Sequence, residues 1–381
     1  GIAIDGQKII ITFDKIAPDA LLTFTQFAPV PKSEFEGIDP LQVQQAPFFQ
    51  HPIGCGPFMV EEVNMKNYTI LAPFDRYYNG VADFKIQLLP SAGDSDPNVV
   101  TRAKSGNRDY GYTKMVADVQ ALEGTPGITV TPIDVRYTRL FYLNKFDKKD
   151  GSPAPLADVR VRQALRYAID METICETLFQ GSAVPANALA PDANLKGGDL
   201  NDYNYNPEKA KELLAEANWD PNTVIKAVYY YTDQATVDLM TAVQAYLADV
   251  GIKMEFELVE GDLATILWAA PADQTNGPRA VDWDICYAAN AALSLHEYYD
   301  RYRTGSPTEL NRLIDATNAS ADVNAQNEAF KELIKYENEN LFTMALYYQP
   351  IFLITSDKIG DIQKGTPQFC INWDIQNWNV Q

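Results

Sequence analysis

The chain is poor in the side chains that most enzymes use as bases and nucleophiles. Its 381 residues include two histidines, His51 and His296, and four widely separated cysteines, Cys55, Cys175, Cys286 and Cys370. A serine or cysteine nucleophile needs a base beside it, and neither histidine sits in a hydrolase motif. No two cysteines have CxxC spacing, so the local redox and zinc patterns are excluded. Spacing leaves open whether the four are buried free thiols or are joined in one or two disulfides. A Walker A loop, an HExxH helix and an EF-hand loop are also missing. The opening GIAIDG lacks the GxGxxG spacing of a dinucleotide site. No metal and no cofactor are expected.

Positive charge is scarce as well. With 31 Lys+Arg against 51 Asp+Glu, the formal net charge is -20, which argues against a nucleic-acid partner. No run approaches the ~20 apolar residues that cross a bilayer. Nor does a basic-then-apolar leader open the chain, as expected of a mature or trimmed protein.

What is present suits a packed protein. Hydrophobic residues make up 46% and charged residues 22%, and the length suggests about two to three domains. The first third reads as strands, KIIITF (8–13), FMVEEV (58–63), YTILAPF (68–74), FKIQLLP (84–90) and ITVTPI (128–133), with a helix near 96–105. Near residue 153 the period changes. In DVRVRQALRYAID (158–170), Val161, Ala164, Leu165, Ala168 and Ile169 form one helical stripe, with Asp158 as N-cap. Arg160 flanks one side of the stripe and Arg162 and Arg166 the other. Their stems are expected along the core edge, with the guanidinium groups in water or on carboxylates.

Further helices are expected at 171–181, closed by Gly181, and at 206–218, where Asn206 caps and Pro207 takes the first helical position. Strand 224–232, helix 235–251 and strand 252–260 make a βαβ unit, normally a parallel crossover. Helices near 307–318 and 323–340 precede the apolar run FTMALYYQPIFLIT (342–355). The second half is therefore α/β.

Two groups of side chains could carry function. Asp282 and Asp284 in VDWDICY share a face if that segment is a strand, but residues two apart stand side by side rather than facing across a substrate. Tyrosine and tryptophan cluster in RYYNG, VYYYT, HEYYDRY, YYQPIF and INWDIQNWN, and these side chains combine flat apolar surface with a polar tip.

Several ordered segments resemble the family 5 extracellular solute-binding proteins, the dipeptide and oligopeptide binders that serve ABC importers. HPIGCGPFMVEEV is similar to the family's GPF/GPY segment, and FDRYYNGVADFKIQLLP to its N-x-x-Y-W-x-G stretch. The block FYLNKFDKKDGSPAPLADVRVRQALRYAIDMETICETLFQGSAVPA and the helix YNPEKAKELLAEANW resemble the corresponding family blocks in order and spacing. The resemblance implies an α/β fold, a two-lobed periplasmic-binding-protein-like clamp of type II. Residues 1–143 and 347–381 would form lobe one, lacking its usual N-terminal segment, and residues 144–346 lobe two, with crossings at 141–145 and 346–350. It implies a non-enzymatic protein outside the cytoplasmic membrane, periplasmic or held at the surface by a lipid anchor. Such a protein delivers a peptide-like or other polar small solute to the permease subunits of an ABC transporter by clamp closure.

The ligand is expected to meet Asn290, Tyr287, Trp268, Tyr230 and Asp238. Asn290 stands where peptide binders carry an Asp for the α-amino group, and Asp238 close to where some dipeptide binders carry an Arg. Both departures disfavour a short zwitterionic peptide and make an oligosaccharide the alternative, with a carboxylate hydrolase least favoured.

Overall fold

The computed structural model describes residues 1–25, 27–64, 66–90, 96–197, 199–269, 281–292, 294–303, 308–360, 362 and 374–381. Cys370 and Trp373 lie outside them; Cys55, Cys175 and Cys286 are free thiols. The chain divides into two compact units, one of residues 1–20 and 136–350, the other of 21–135 and 351–381.

The larger unit is built on a six-stranded mixed sheet. Its strands are β1 (Tyr137–Leu143), β2 (Val184–Pro185), β3 (Val224–Tyr229), β4 (Lys253–Leu258), β5 (Ile285–Ala291) and β6 (Thr343–Tyr348), in the order β4-β3-β5-β1-β6-β2. β3 runs parallel to β4 and β5, as a βαβ unit requires, whereas β1 is antiparallel to both β5 and β6. Side chains alternate across the sheet. On β1, Phe141 and Leu143 enter a core with helices α1 (Val159–Ala168), α2 (Met171–Thr177), α3 (Pro207–Glu216) and α4 (Gln234–Asp249), while Leu140 joins an opposite core. That second core is completed by helices α6 (Leu295–Asp300), α7 (Glu309–Thr317) and α8 (Val323–Asn340), and a short α5 (Leu263–Trp268) follows β4.

The helix signals are physical ones. Asp158 accepts a hydrogen bond from the Arg160 amide (2.8 Å), Asn206 from Lys209 (2.9 Å) and Asp233 from Thr236 (2.9 Å), each satisfying a free first-turn donor. Gly181 (φ 73°) and Gly251 (φ 87°) take the left-handed turns that follow α2 and α4.

The three arginines of α1 behave differently from one another. Arg160 pairs with Asp158 at the surface. Arg162 and Arg166, expected in water or on carboxylates, are instead buried on main-chain carbonyls. Arg162 donates to Asn340 and Leu341 at the end of α8 and to Leu156 and Ala157; Arg166 donates to Tyr203 and Ala186. The last carbonyls of a helix have no partner within it, and Arg162 supplies one.

The second unit holds two three-stranded antiparallel sheets. One places Ile351–Ser356 between Tyr110–Thr113 and Ile128–Ile133; the other pairs Phe58–Asn64 with Tyr68–Pro73 and that strand with Ile86–Leu88. The apolar run 342–355 is thus cut at Pro350 into β6 and a strand of the other unit. The expected division, 1–143 with 347–381 against 144–346, differs from these units on two counts. β1 and β6 are neighbours in the large sheet and stay with it. Residues 1–20 also join that unit, where the Asp19 carboxylate meets Nδ1 of the buried His296 at 2.9 Å.

Candidate ligand-binding site

In open α/β sheets, ligands bind outside the carboxyl ends of parallel strands. Here β3 and β5 both end at one edge of the large sheet. Because β1 runs the other way, its first residues arrive at that edge, as does the end of β6. Registry places Arg139 of β1 between Ala289 of β5 and Tyr347 of β6.

Arg139 is 7% exposed and surrounded by phenol rings. Its guanidinium carbon lies 4.2 Å from the ring centre of Tyr231, 5.1 Å from Tyr137 and 5.6 Å from Tyr287. Tyr287 and Tyr347 meet through their hydroxyls at 2.7 Å, and Tyr230 and Tyr231 at 3.1 Å. Burial pushes the phenols of Tyr230, Tyr231, Tyr287 and Tyr347 well above the ordinary tyrosine range, so these rings are neutral. They attract a cation through their faces but give it no counter-charge.

The residues singled out from sequence fall in four places. Tyr230 and Tyr287 share the edge, linked through Tyr231, whose ring stands edge-on to Tyr287 at 5.7 Å. Tyr287 itself is buried, with its hydroxyl held by Tyr347. Asn290 is also fully buried, and its amide is used internally: Nδ2 donates to the Tyr298 carbonyl (3.1 Å) and Oδ1 accepts from Arg301 (2.9 Å). Trp268, at the end of α5, is 41% exposed and lies edge-on to Tyr142, 5.0 Å between centres, on the sheet face opposite Phe141. Asp238 stands apart on the exposed face of α4, accepting from Gln234.

Arg139 and Tyr137 were not picked out from sequence, and Tyr231 and Tyr347 entered only as members of the clusters VYYYT and YYQPIF. The available signal was a charged residue in the apolar run YTRLFYL, two positions from Phe141 and therefore inward-facing with it. Asp282 and Asp284 do not form a facing pair. Asp282 is exposed, whereas Asp284 is buried against Lys148 (3.0 Å) and the Lys226 amide (2.9 Å), with burial raising its carboxyl.

A cavity of about 530 Å³ opens near β2 and is lined by Arg166, Asp170, Lys196, Asp202, Tyr203 and Tyr348 among others. Lys196 lies over the Tyr348 ring at 4.2 Å, and burial pulls its ammonium down to about 8. Among the described residues no group of three or more His, Cys, Asp or Glu is placed to hold a metal ion, and no helix is long and apolar enough to cross a membrane.

Residues 1–309 match the family described as bacterial extracellular solute-binding proteins, family 5 middle. A Brucella ovis protein named for ABC-transporter peptide binding is 28% identical over 256 residues, covering 66% of this chain and 47% of that protein. The dipeptide-binding protein of Escherichia coli is 25% identical over 300 residues, 74% of this chain and 53% of that one. The chain therefore spans about half the length of these two relatives. The crystal structure of CtaP, an ABC transporter substrate-binding protein from Listeria monocytogenes, superposes with a TM-score of 0.80 at 18% identity, covering 100% of this chain and 78% of that one. At that identity the likeness establishes the fold, α/β and of the two-lobed periplasmic-binding-protein class.

Proposed function

The chain belongs to the bacterial extracellular solute-binding proteins of family 5, and on that footing we propose that it captures a peptide-like or other polar small solute for the permease subunits of an ABC importer. The protein acts outside the cytoplasmic membrane and turns nothing over. The observation that carries this reading is the aromatic edge of the large sheet. Three separate strands or strand ends, at Tyr231, Tyr287 and Tyr347, converge where open α/β sheets take their ligands. Tyr230 offers an apolar face with a polar tip, while Tyr287 holds the edge through its hydroxyl bond to Tyr347.

Native mass spectrometry of the full chain, followed by thermal-shift titration with trialanine and maltotriose, tests the proposal. A co-purifying solute, or stabilisation by either probe, supports it. Sustained hydrolysis of peptides or glycosides by pure protein, lost in Asp284→Asn, would replace it with an enzymatic function.

A further inference from the structure

The protein treats its buried arginines unequally. On α1, Arg162 spends its donors on four main-chain carbonyls between 2.7 and 3.1 Å away. Arg139 is as deeply buried, yet its Nε and Nη1 have no hydrogen-bond partner among the described residues. Among the described residues no carboxylate pairs with it, and its near neighbours are the neutral phenols of Tyr137, Tyr231, Tyr287 and Tyr347. Burying a guanidinium without hydrogen-bond acceptors is costly, and ring faces offset only part of that cost.

An anion is the kind of group that would satisfy such donors. A guanidinium presents parallel N–H donors whose spacing matches the two oxygens of a carboxylate. Close by, the hydroxyls of Tyr287 and Tyr347 share one hydrogen bond. That contact uses one of their two protons and leaves the other to donate. We propose that Arg139 binds a carboxylate of the solute at the carboxyl edge of the large sheet, so that the protein selects acidic ligands over neutral ones. This rests on the solute-binding reading above. It also relocates the charge: the sequence lacks an arginine at the start of α4, and Arg139 on β1 supplies the cation.

Calorimetry on the full chain with trialanine, trialanine amide, the amide of Ala-Ala-Glu and maltotriose tests the proposal. Trialanine should bind at least tenfold more tightly than its amide. Binding restored in Ala-Ala-Glu amide would identify a side-chain carboxylate as the group read. Arg139→Gln should erase the difference between acid and amide, and Arg139→Lys should keep part of it. Should Arg139→Gln fail to fold, NMR of the parent supplies the second readout. The Arg139 Nε–H resonance, assigned by its loss in Arg139→Lys, should move with sodium acetate and stay fixed with sodium chloride at equal ionic strength. An unmoved resonance overturns the proposal whether or not any peptide binds. Equal affinity for acid and amide, or tight maltotriose binding unaffected by Arg139→Gln, overturns it while leaving solute binding intact. The absence of any bound probe and of any co-purifying solute would instead count against solute binding itself.

Discussion

Tyr287 and Tyr347 reach each other across β1, the strand that separates their own, and join hydroxyl to hydroxyl at 2.7 Å. Each is the other's hydrogen-bond partner, beside the buried guanidinium of Arg139. Tyr287→Phe should leave the Tyr347 hydroxyl buried and unpaired, costing about 1–3 kcal/mol, whereas Tyr287→Phe with Tyr347→Phe removes both groups and should cost less than the sum of the singles. Urea unfolding of the cycle decides it. Strict additivity would mean that the two hydroxyls are not coupled.

Asn290→Asp should destabilise the larger unit by about 1–3 kcal/mol. The new carboxylate keeps Arg301 but turns an oxygen toward the Tyr298 carbonyl in place of the Nδ2 donor. A variant as stable as the parent in urea would show that the amide is free to turn outward.

Arg162 and Arg160 sit two residues apart on α1 and should differ sharply on truncation. Arg162→Ala strands the carbonyls at the end of α8 and empties a buried site, with an expected loss of at least ~3 kcal/mol. Arg160→Ala removes a surface pair and should cost under about 1 kcal/mol. Comparable losses from thermal or urea unfolding would refute the assignment of the Arg162 contacts as the stronger anchor.

Glu337 of α8 is buried and accepts from the Leu189 amide at 2.9 Å; burial pushes its carboxyl up to about 8 from an ordinary 4.5. Between those values the folded chain holds a proton that the unfolded chain has released. Stability from this group is therefore complete below about pH 4.5 and is lost as pH rises through about 8. Lys196, pulled down to about 8, has the opposite sign and acts in the window above that value. Urea midpoints from pH 5 to 8 should fall less steeply for Glu337→Gln than for the parent. Parallel slopes would assign the dependence to other groups.

Local features were legible in the sequence because they rest on local physics. Asp158, Asn206 and Pro207 mark helix starts through donors that every helix leaves free, and the β3-α4-β4 unit shows its alternating and helical periods within one short stretch. Sheet order was not legible. That β1 inserts between β5 and β6 depends on partners far along the chain, and alternation says which residues face inward without saying what they meet. The fate of Arg139, Arg162 and Arg166 follows from the same limit. A helical wheel places an arginine at the edge of an apolar stripe, but the carbonyls at the end of α8 that receive Arg162 come from a helix more than a hundred residues away. Asn290 is expected at the site only because peptide binders carry an Asp at the matching position, and its engagement by Tyr298 and Arg301 depends on the turn into α6.

The position of β1 also dictates an order of assembly. β3, α4 and β4 can associate as soon as they are made, since their contacts are near in sequence. β1 is synthesised earlier than all three, yet both of its edges belong to strands that emerge later, β5 first and β6 later still. Throughout that interval the hydrogen-bonding groups of YTRLFYL have no native mate, and an apolar strand in that condition is a target for wrong pairing and for chaperones. Completion of the larger unit thus waits for residues 343–348 to be present, and a chain truncated before them should remain open to proteases along its middle.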